Sequence, residues 1–164
     1  MEIKRKIKKQ IMKKLSLQEL EINIVNWAMD RDLIKSDNAP KQRLKLIEEV
    51  GETAGCILKG DIDGIKDGLG DCFVVLVILA HQTNYKLHLN SFLRWSDDTY
   101  SSSPGVLLHE IIHGSFHGLL QPMCTLHYLA ELLGYDLTDC ANGAWNEIKD
   151  RRGVTLNGTF LKNE

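Results

Sequence analysis

The feature that most limits what this chain can fold into is an uninterrupted run of nine apolar residues, CysPheValValLeuValIleLeuAla, from Cys72 to Ala80. A segment with no polar face has to be covered on every side, as a central strand or a central helix. This one continues without a breaker into flanking helical pattern, so Ile65 to His81 as a whole exceeds the usual length of a strand, and the spacing predicts a buried central helix. The remaining segments must supply the elements that cover it.

Helical periodicity does supply them. Leu17, Leu20, Ile24, Trp27 and Ala28 recur at three- and four-residue steps behind Ser16, which suits an N-cap, and predict a helix from Ser16 to Asp32. Pro40 suits the first turn of a second helix that runs to Gly60, with Leu44, Ile47, Gly51, Ala54 and Leu58 as its apolar face. A turn over Lys59 to Gly64 then makes the second and third helices an antiparallel hairpin. The stretch Asn84 to Gly105 mixes polar and aromatic residues and predicts no element. Further helices are expected from about Val106 to Gly118, from Pro122 to Leu133 with Gly134 as the stop, and from Thr138 to Arg152. Trp27 and Trp145 fall at helical spacing and are expected in the core rather than stacked on a ligand. ValThrLeu and ThrPheLeu flank Asn157 and Gly158, a two-residue hairpin signal of type I′. The fold expected is all-α, four or more helices built on a helical hairpin, with a short C-terminal β-hairpin. A chain of 164 residues, 43% of them hydrophobic, suits one domain over residues 16–164 behind a tail at 1–15.

Charge narrows the function classes. The formal charge of −2 gives no general positive field for collecting nucleic-acid phosphates, so no specific nucleic-acid partner is expected. Lys4, Arg5, Lys6, Lys8, Lys9, Lys13 and Lys14 make the tail basic, which reads as a solvated start. No apolar run approaches the ~18 residues of a membrane span and no secretion signal is visible, so a cytoplasmic protein is expected. Cys56, Cys72, Cys124 and Cys140 form no CxxC pair and read as small core residues.

Chemistry concentrates on the hairpin. Glu48, Glu49 and Glu52 share one flank of the second helix, and Asp67 and Asp71 lie four apart on the third. Asp71 is in line with Val74, Val75 and Ile78, on a surface that should face the core, where a carboxylate needs a partner. With the turn near residues 60 to 62, Glu49, Glu52 and Asp71 stand at matching heights on helices whose axes pack about 8 to 10 Å apart. Carboxylates that meet there require cations. Hard oxygen ligands select magnesium, or manganese, and magnesium commonly completes its shell with waters and phosphate oxygens.

IleGluGluValGlyGlu at 47–52, LysGlyAsp at 59–61 and IleLysAspGlyLeuGlyAsp at 65–71 resemble the MazG-like nucleoside triphosphate pyrophosphohydrolases of the all-α dUTPase-like superfamily, whose signature is EExxE, a spacer and ExxD. The resemblance implies magnesium-dependent hydrolysis of a nucleoside triphosphate to the monophosphate and pyrophosphate by a homodimer or homotetramer. It also implies metal ligation by Glu49, Glu52 and Asp71 and water activation by Glu48. The signature's second-half glutamate falls on Gly68, and Asp67 is the residue that would stand in for it. AlaTrpAsnGluIleLysAspArgArgGly at 144–153 resembles the family's last helix, which makes Asn146, Lys149, Arg151 and Arg152 candidates for substrate phosphates. Lys45 on the second helix is a further substrate-binding candidate.

Two other readings come from the same chain. His109, Glu110 and His113 spell HExxH, which on a helix suits a zinc hydrolase or peptidase, with a third ligand to be drawn from His127, Glu131 or His88. The longer HExxHxxGxxH pattern is absent, because Gly114 and His117 fall at other offsets. The loss of a ligand at Gly68 alternatively suits a helical assembly module without catalysis.

Overall fold

The computed structural model describes residues 14–89 and 100–163. Most of the basic tail, and the middle of the segment to which no element was assigned, lie outside the described residues. The elements are α1 (Leu17–Met29), a 3₁₀ turn (Ser36–Asn38), α2 (Ala39–Lys59), α3 (Ile62–Gln82), α4 (Pro104–Gly114), α5 (Leu120–Leu132), α6 (Leu137–Ile148) and the strands β1 (Gly153–Leu156) and β2 (Thr159–Lys162). The architecture is all-α with a small C-terminal β-hairpin.

Local chemistry sets the boundaries. Ser16 and Glu19 form a reciprocal capping box at the start of α1, which stabilises a helix by about 1 kcal/mol. Helix α2 ends where Gly60 takes φ 66°, a left-handed conformation that costs glycine nothing. The Asp61 side chain then accepts from the Gly64 N–H at 3.1 Å and starts α3. The connection is therefore shorter than the turn expected over Lys59 to Gly64. The last helix stops at Ile148 rather than Arg152, and the chain passes directly into the hairpin.

Helix α3 is the central element, and it packs against α1, α2, α5 and α6. Leu69, Phe73, Leu76 and Leu79 have no exposure at all, and complete burial of such side chains stabilises by about 1.5–3 kcal/mol each. The apolar run of α3 is thus covered within one chain. The exposed apolar face belongs to α2 instead. Leu44, Ile47 and Leu58 were expected to pack inward, but they are exposed, Leu58 to 88%. The inward face of α2 is Gln42, Leu46, Glu49, Val50 and Thr53. Counting apolar residues chose the wrong stripe, because the inward face carries three polar residues.

Two glycines let α3 approach its neighbours closely. A Cβ on Gly68 would stand 2.2 Å from Thr53 Oγ1 on α2, and one on Gly70 would stand 2.3 Å from the Cys140 carbonyl oxygen on α6. Gly68 is thus a helix contact, buried against α2, and a glutamate there would force the hairpin apart.

The C-terminal hairpin pairs Gly153 with Lys162 and Leu156 with Thr159 around Asn157 (φ 50°) and Gly158 (φ 78°), as a type I′ turn requires. It is fastened to the helices. Arg31 donates through Nε and Nη2 to the Arg151 carbonyl at 3.2 and 2.6 Å, the Thr155 hydroxyl donates to the Arg31 carbonyl, and Phe160 meets Trp27 edge-on at 5.2 Å.

The Gly68 contact is testable. Gly68→Ala should lower stability by about 1–3 kcal/mol, as overpacking does, and Thr53→Ala should recover part of the loss in the double variant. Urea denaturation of the four proteins measures both; additive losses would contradict the contact.

Candidate active site

A cavity of about 400 Å³ opens where the α2–α3 hairpin meets α1, the end of α6 and the β-hairpin. Its charged residues are Lys41, Lys45, Glu48, Glu49, Asp71, Arg151 and Lys162, and its apolar part includes Trp27, Leu33, Val75, Ile78 and Phe160. Its size is within the range of small-ligand sites.

Helix crossing makes the charged part. Glu49 is on the inward face of α2 and buried, and Asp71 is half-buried on α3 one turn before Val74 and Val75, which also line the cavity. Burial pushes the Asp71 carboxyl up to about 7, with the Glu49 and Glu147 carboxylates adding to the rise and Arg151 and Lys45 opposing it. Lys45 is the local counter-ion. Its Nζ lies 2.7 Å from Glu49 Oε1 and 2.9 Å from Glu48 Oε2. Burial alone would lower the Lys45 pKa, but its hydrogen bonds to Glu49 and Glu48 outweigh that and raise it.

Glu48, Glu49, Asp71, Lys45 and Arg151 are therefore brought together. The other candidates are not. Glu52 is exposed on α2 and does not line the cavity. Asp67 opens onto a separate depression with Lys66, Tyr135 and Asp139. Burial, then Glu147, Asp63 and Asp61, raise its pKa, so the carboxylates it responds to do not include Glu49. One helical residue accounts for this, because position 67 is rotated about 100° from Gly68 and points toward α6. Asn146 and Lys149 hydrogen-bond each other at 2.9 Å outside the cavity, and the exposed Arg152 uses its carbonyl to accept from the Asn163 N–H.

Three contributors escaped the sequence reading. Glu147 acts on both Asp67 and Asp71 and pairs with Arg151 at 3.5 Å; its i,i+4 spacing to Arg151 was the available signal. Gln42 lines the cavity and donates to the Val75 carbonyl at 3.3 Å, two turns before Glu49 on the same helix face. Phe160 had no signal, because a hairpin motif states its own register and not where it docks.

The HExxH histidines line up along the exposed side of α4, with ring centroids 5.9 Å apart for His109 and His113 and 4.9 Å for His113 and His117. His127 and Glu131 are on α5, 3.8 Å from each other. Among the described residues, no three His, Cys, Asp or Glu side chains come together as a metal cage. The zinc reading thus lacks its third ligand. The hairpin site differs in what it would need, since magnesium is commonly held by one or two carboxylates and completed by waters and phosphates. Glu49 and Asp71, which both line the cavity, supply the one or two carboxylates such a site needs.

Residues 40–94, which hold nearly all of α2, all of α3 and every carboxylate that lines the cavity, match the family described as the MazG nucleotide pyrophosphohydrolase domain. The hairpin is MazG-like. An 18.2 kDa protein of the rep-hol intergenic region of Haemophilus phage HP1 (strain HP1c1) is 48% identical over 77 residues, which is 47% of this chain and 45% of that protein. The match thus spans about half the length of the curated relative. No solved structure matches the chain. The MazG-like segment contains Lys45, Glu48, Glu49 and Asp71, whereas Trp27, Arg151 and the β-hairpin lie outside it.

The Asp71 environment predicts a pH dependence. Between the ordinary value of 3.8 and about 7, the folded chain holds a proton that the unfolded chain has lost, so this group's contribution to stability falls as pH rises through that window. Discounted for partial exposure, the loss is on the order of 2 kcal/mol. In metal-free buffer, Asp71→Asn should be more stable than the parent near pH 8 and equal to it near pH 3. Urea denaturation across pH measures the difference; a constant difference would contradict the assignment.

Proposed function

We propose that this protein hydrolyses a nucleoside triphosphate to the nucleoside monophosphate and pyrophosphate with magnesium, in the cavity between the MazG-like hairpin and the C-terminal β-hairpin. The observation that carries this reading is that the buried Glu49 and the half-buried Asp71 line one cavity, inside the segment that matches a nucleotide pyrophosphohydrolase domain.

In this reading Glu49 and Asp71 hold the metal. Bound magnesium would neutralise charge on the phosphates and lower the pKa of a coordinated water. Glu48, at the cavity rim, takes the proton of the attacking water as it adds to the α-phosphorus. The bond from that phosphorus to the oxygen bridging to the β-phosphate breaks, and pyrophosphate leaves. Lys45, which pairs with Glu48 and Glu49, would join Arg151 in positioning the phosphate chain. Glu52 and Asp67 support the local negative field without touching the substrate. Asn146, Lys149 and Arg152 have no direct role.

We also propose that the protein is a homo-oligomer, formed through the outer face of α2. Leu44, Ile47 and Leu58 are exposed there, and Gly51 and Gly55 leave open space beside them. An apolar stripe of this kind at helical spacing suits a second helix. Leu58→Lys should shift the protein to a monomer by sedimentation analysis; an unchanged mass would contradict this interface. No helix among the described residues is long and apolar enough to cross a membrane.

The catalytic reading is tested with a panel of ribo- and deoxyribonucleoside triphosphates, magnesium and a pyrophosphate assay. Glu49→Gln and Asp71→Asn should each reduce turnover by about 100-fold or more, ~2.7 kcal/mol in the barrier, while circular dichroism shows the fold retained. Glu52→Gln and Asp67→Asn should stay within roughly 3-fold of the parent, well under 1 kcal/mol. Full activity in Asp71→Asn, or pyrophosphate release that chelation does not affect, would overturn the reading.

A further inference from the structure

The cavity is longer than its carboxylates require. Along α3 its lining runs from Asp71 to Ile78, and seven helical residues span about 10 Å. Along α2 it runs from Glu49 back to Lys41. Both walls lead away from the charged part toward an apolar part closed by Trp27, Leu33 and Phe160. Whatever occupies the cavity has an anionic portion and, beyond it, a flat or apolar one.

A second observation concerns Trp27. Its ring is buried and lines the cavity, but its indole N–H has no hydrogen-bond partner among the described residues. Buried indole N–H groups normally find an acceptor. The Arg31 guanidinium lies over the Trp27 ring at 4.4 Å and gives its hydrogen bonds to the carbonyls of Trp27 and Arg151.

The wall opposite α3 comes from the β-hairpin. Gly158, Thr159, Phe160 and Lys162 line the cavity, and the hairpin is held in place from three sides. Arg31 grips the Arg151 carbonyl just before β1, Thr155 bonds back to the Arg31 carbonyl, and Gly158 seats so closely on Asn38 that a Cβ would stand 2.8 Å from Asn38 Oδ1. A two-stranded hairpin is marginal alone, so this fastening is what makes it a wall.

We propose that the β-hairpin determines nucleoside selectivity: Phe160, in the apolar part of the cavity, gives the heterocyclic base an aromatic contact. This rests on the nucleotide reading of the charged part. It also places selectivity outside residues 40–94, so proteins that share the MazG-like segment and lack the hairpin select differently.

Calorimetric binding tests it without turnover. The probes are magnesium complexes of α,β-methylene nucleoside triphosphates carrying each common base, together with inorganic tripolyphosphate, which has no base. The parent should rank the bases and bind the best of them more tightly than tripolyphosphate. Phe160→Ala should weaken that nucleotide roughly 10-fold, the usual scale of a base–aromatic contact, change tripolyphosphate by less than about 2-fold and flatten the ranking. Phe160→Tyr should keep it. Phe160→Leu, which conserves apolar volume, gives the same comparison should the alanine variant unfold. Equal weakening of nucleotide and tripolyphosphate, an unchanged ranking, or a parent that prefers tripolyphosphate would overturn the inference. A pyrophosphate assay on ordinary triphosphates separates the two claims: ranked, Phe160-dependent binding without release would overturn the hydrolase alone, and release with a Phe160-independent ranking would overturn the inference alone.

Discussion

The burial of two carboxyl groups, Glu49 and Asp71, at one cavity is the constraint on which the site depends. Two carboxylates with little access to water carry a large electrostatic cost unless a proton, a lysine or a metal ion offsets it. Asp71 takes the proton, with its pKa pushed to about 7, and Lys45 serves Glu49 as counter-ion. The fold keeps the two helices close despite this cost. Gly68 lets α3 approach α2 at Thr53, Gly70 lets it approach α6 at Cys140, and the apolar run of α3 is buried on all sides. Close packing therefore holds both carboxyl groups away from bulk water, the kind of environment in which carboxyl pKa values shift.

The same packing occupies the position at which the MazG-like signature is incomplete. In this chain the position of the missing glutamate is a point of helix contact, so a ligand there and the close α2–α3 approach are mutually exclusive. Asp67 does not compensate, because one residue of helical rotation turns it toward α6. The negative field is instead extended from α6, where Glu147 acts on Asp71 from the far side of the hairpin.

Much of the fold was legible in the sequence because its signals are local. The Ser16 cap, Gly60 at the end of α2, the Asn157–Gly158 turn and the apolar run of α3 each act over a few residues, and each predicted element is present. That Glu49 and Asp71 line one cavity was also legible, since a short turn and the helical rise fix which residues stand at matching heights, although Glu52, expected at the same height, does not line it. What escaped depends on long-range packing. The inward face of α2 carries Gln42, Glu49 and Thr53, and apolar counting selected the exposed Leu44, Ile47 and Leu58 stripe in its place. Phe160 belongs to a hairpin whose docking is set by Arg31 and Asn38, more than a hundred residues earlier in the chain, and no pattern in residues 153–162 announces it.

The central claim is that Glu49 and Asp71 share a cation site, and the most direct measurement is the titration of the Asp71 carboxyl carbon by nuclear magnetic resonance, with and without magnesium. The account predicts a midpoint near 7 in metal-free buffer that falls as magnesium is added, because a bound cation favours the ionised form. An ordinary carboxylate midpoint in metal-free buffer, or a raised one that magnesium leaves in place, would contradict it.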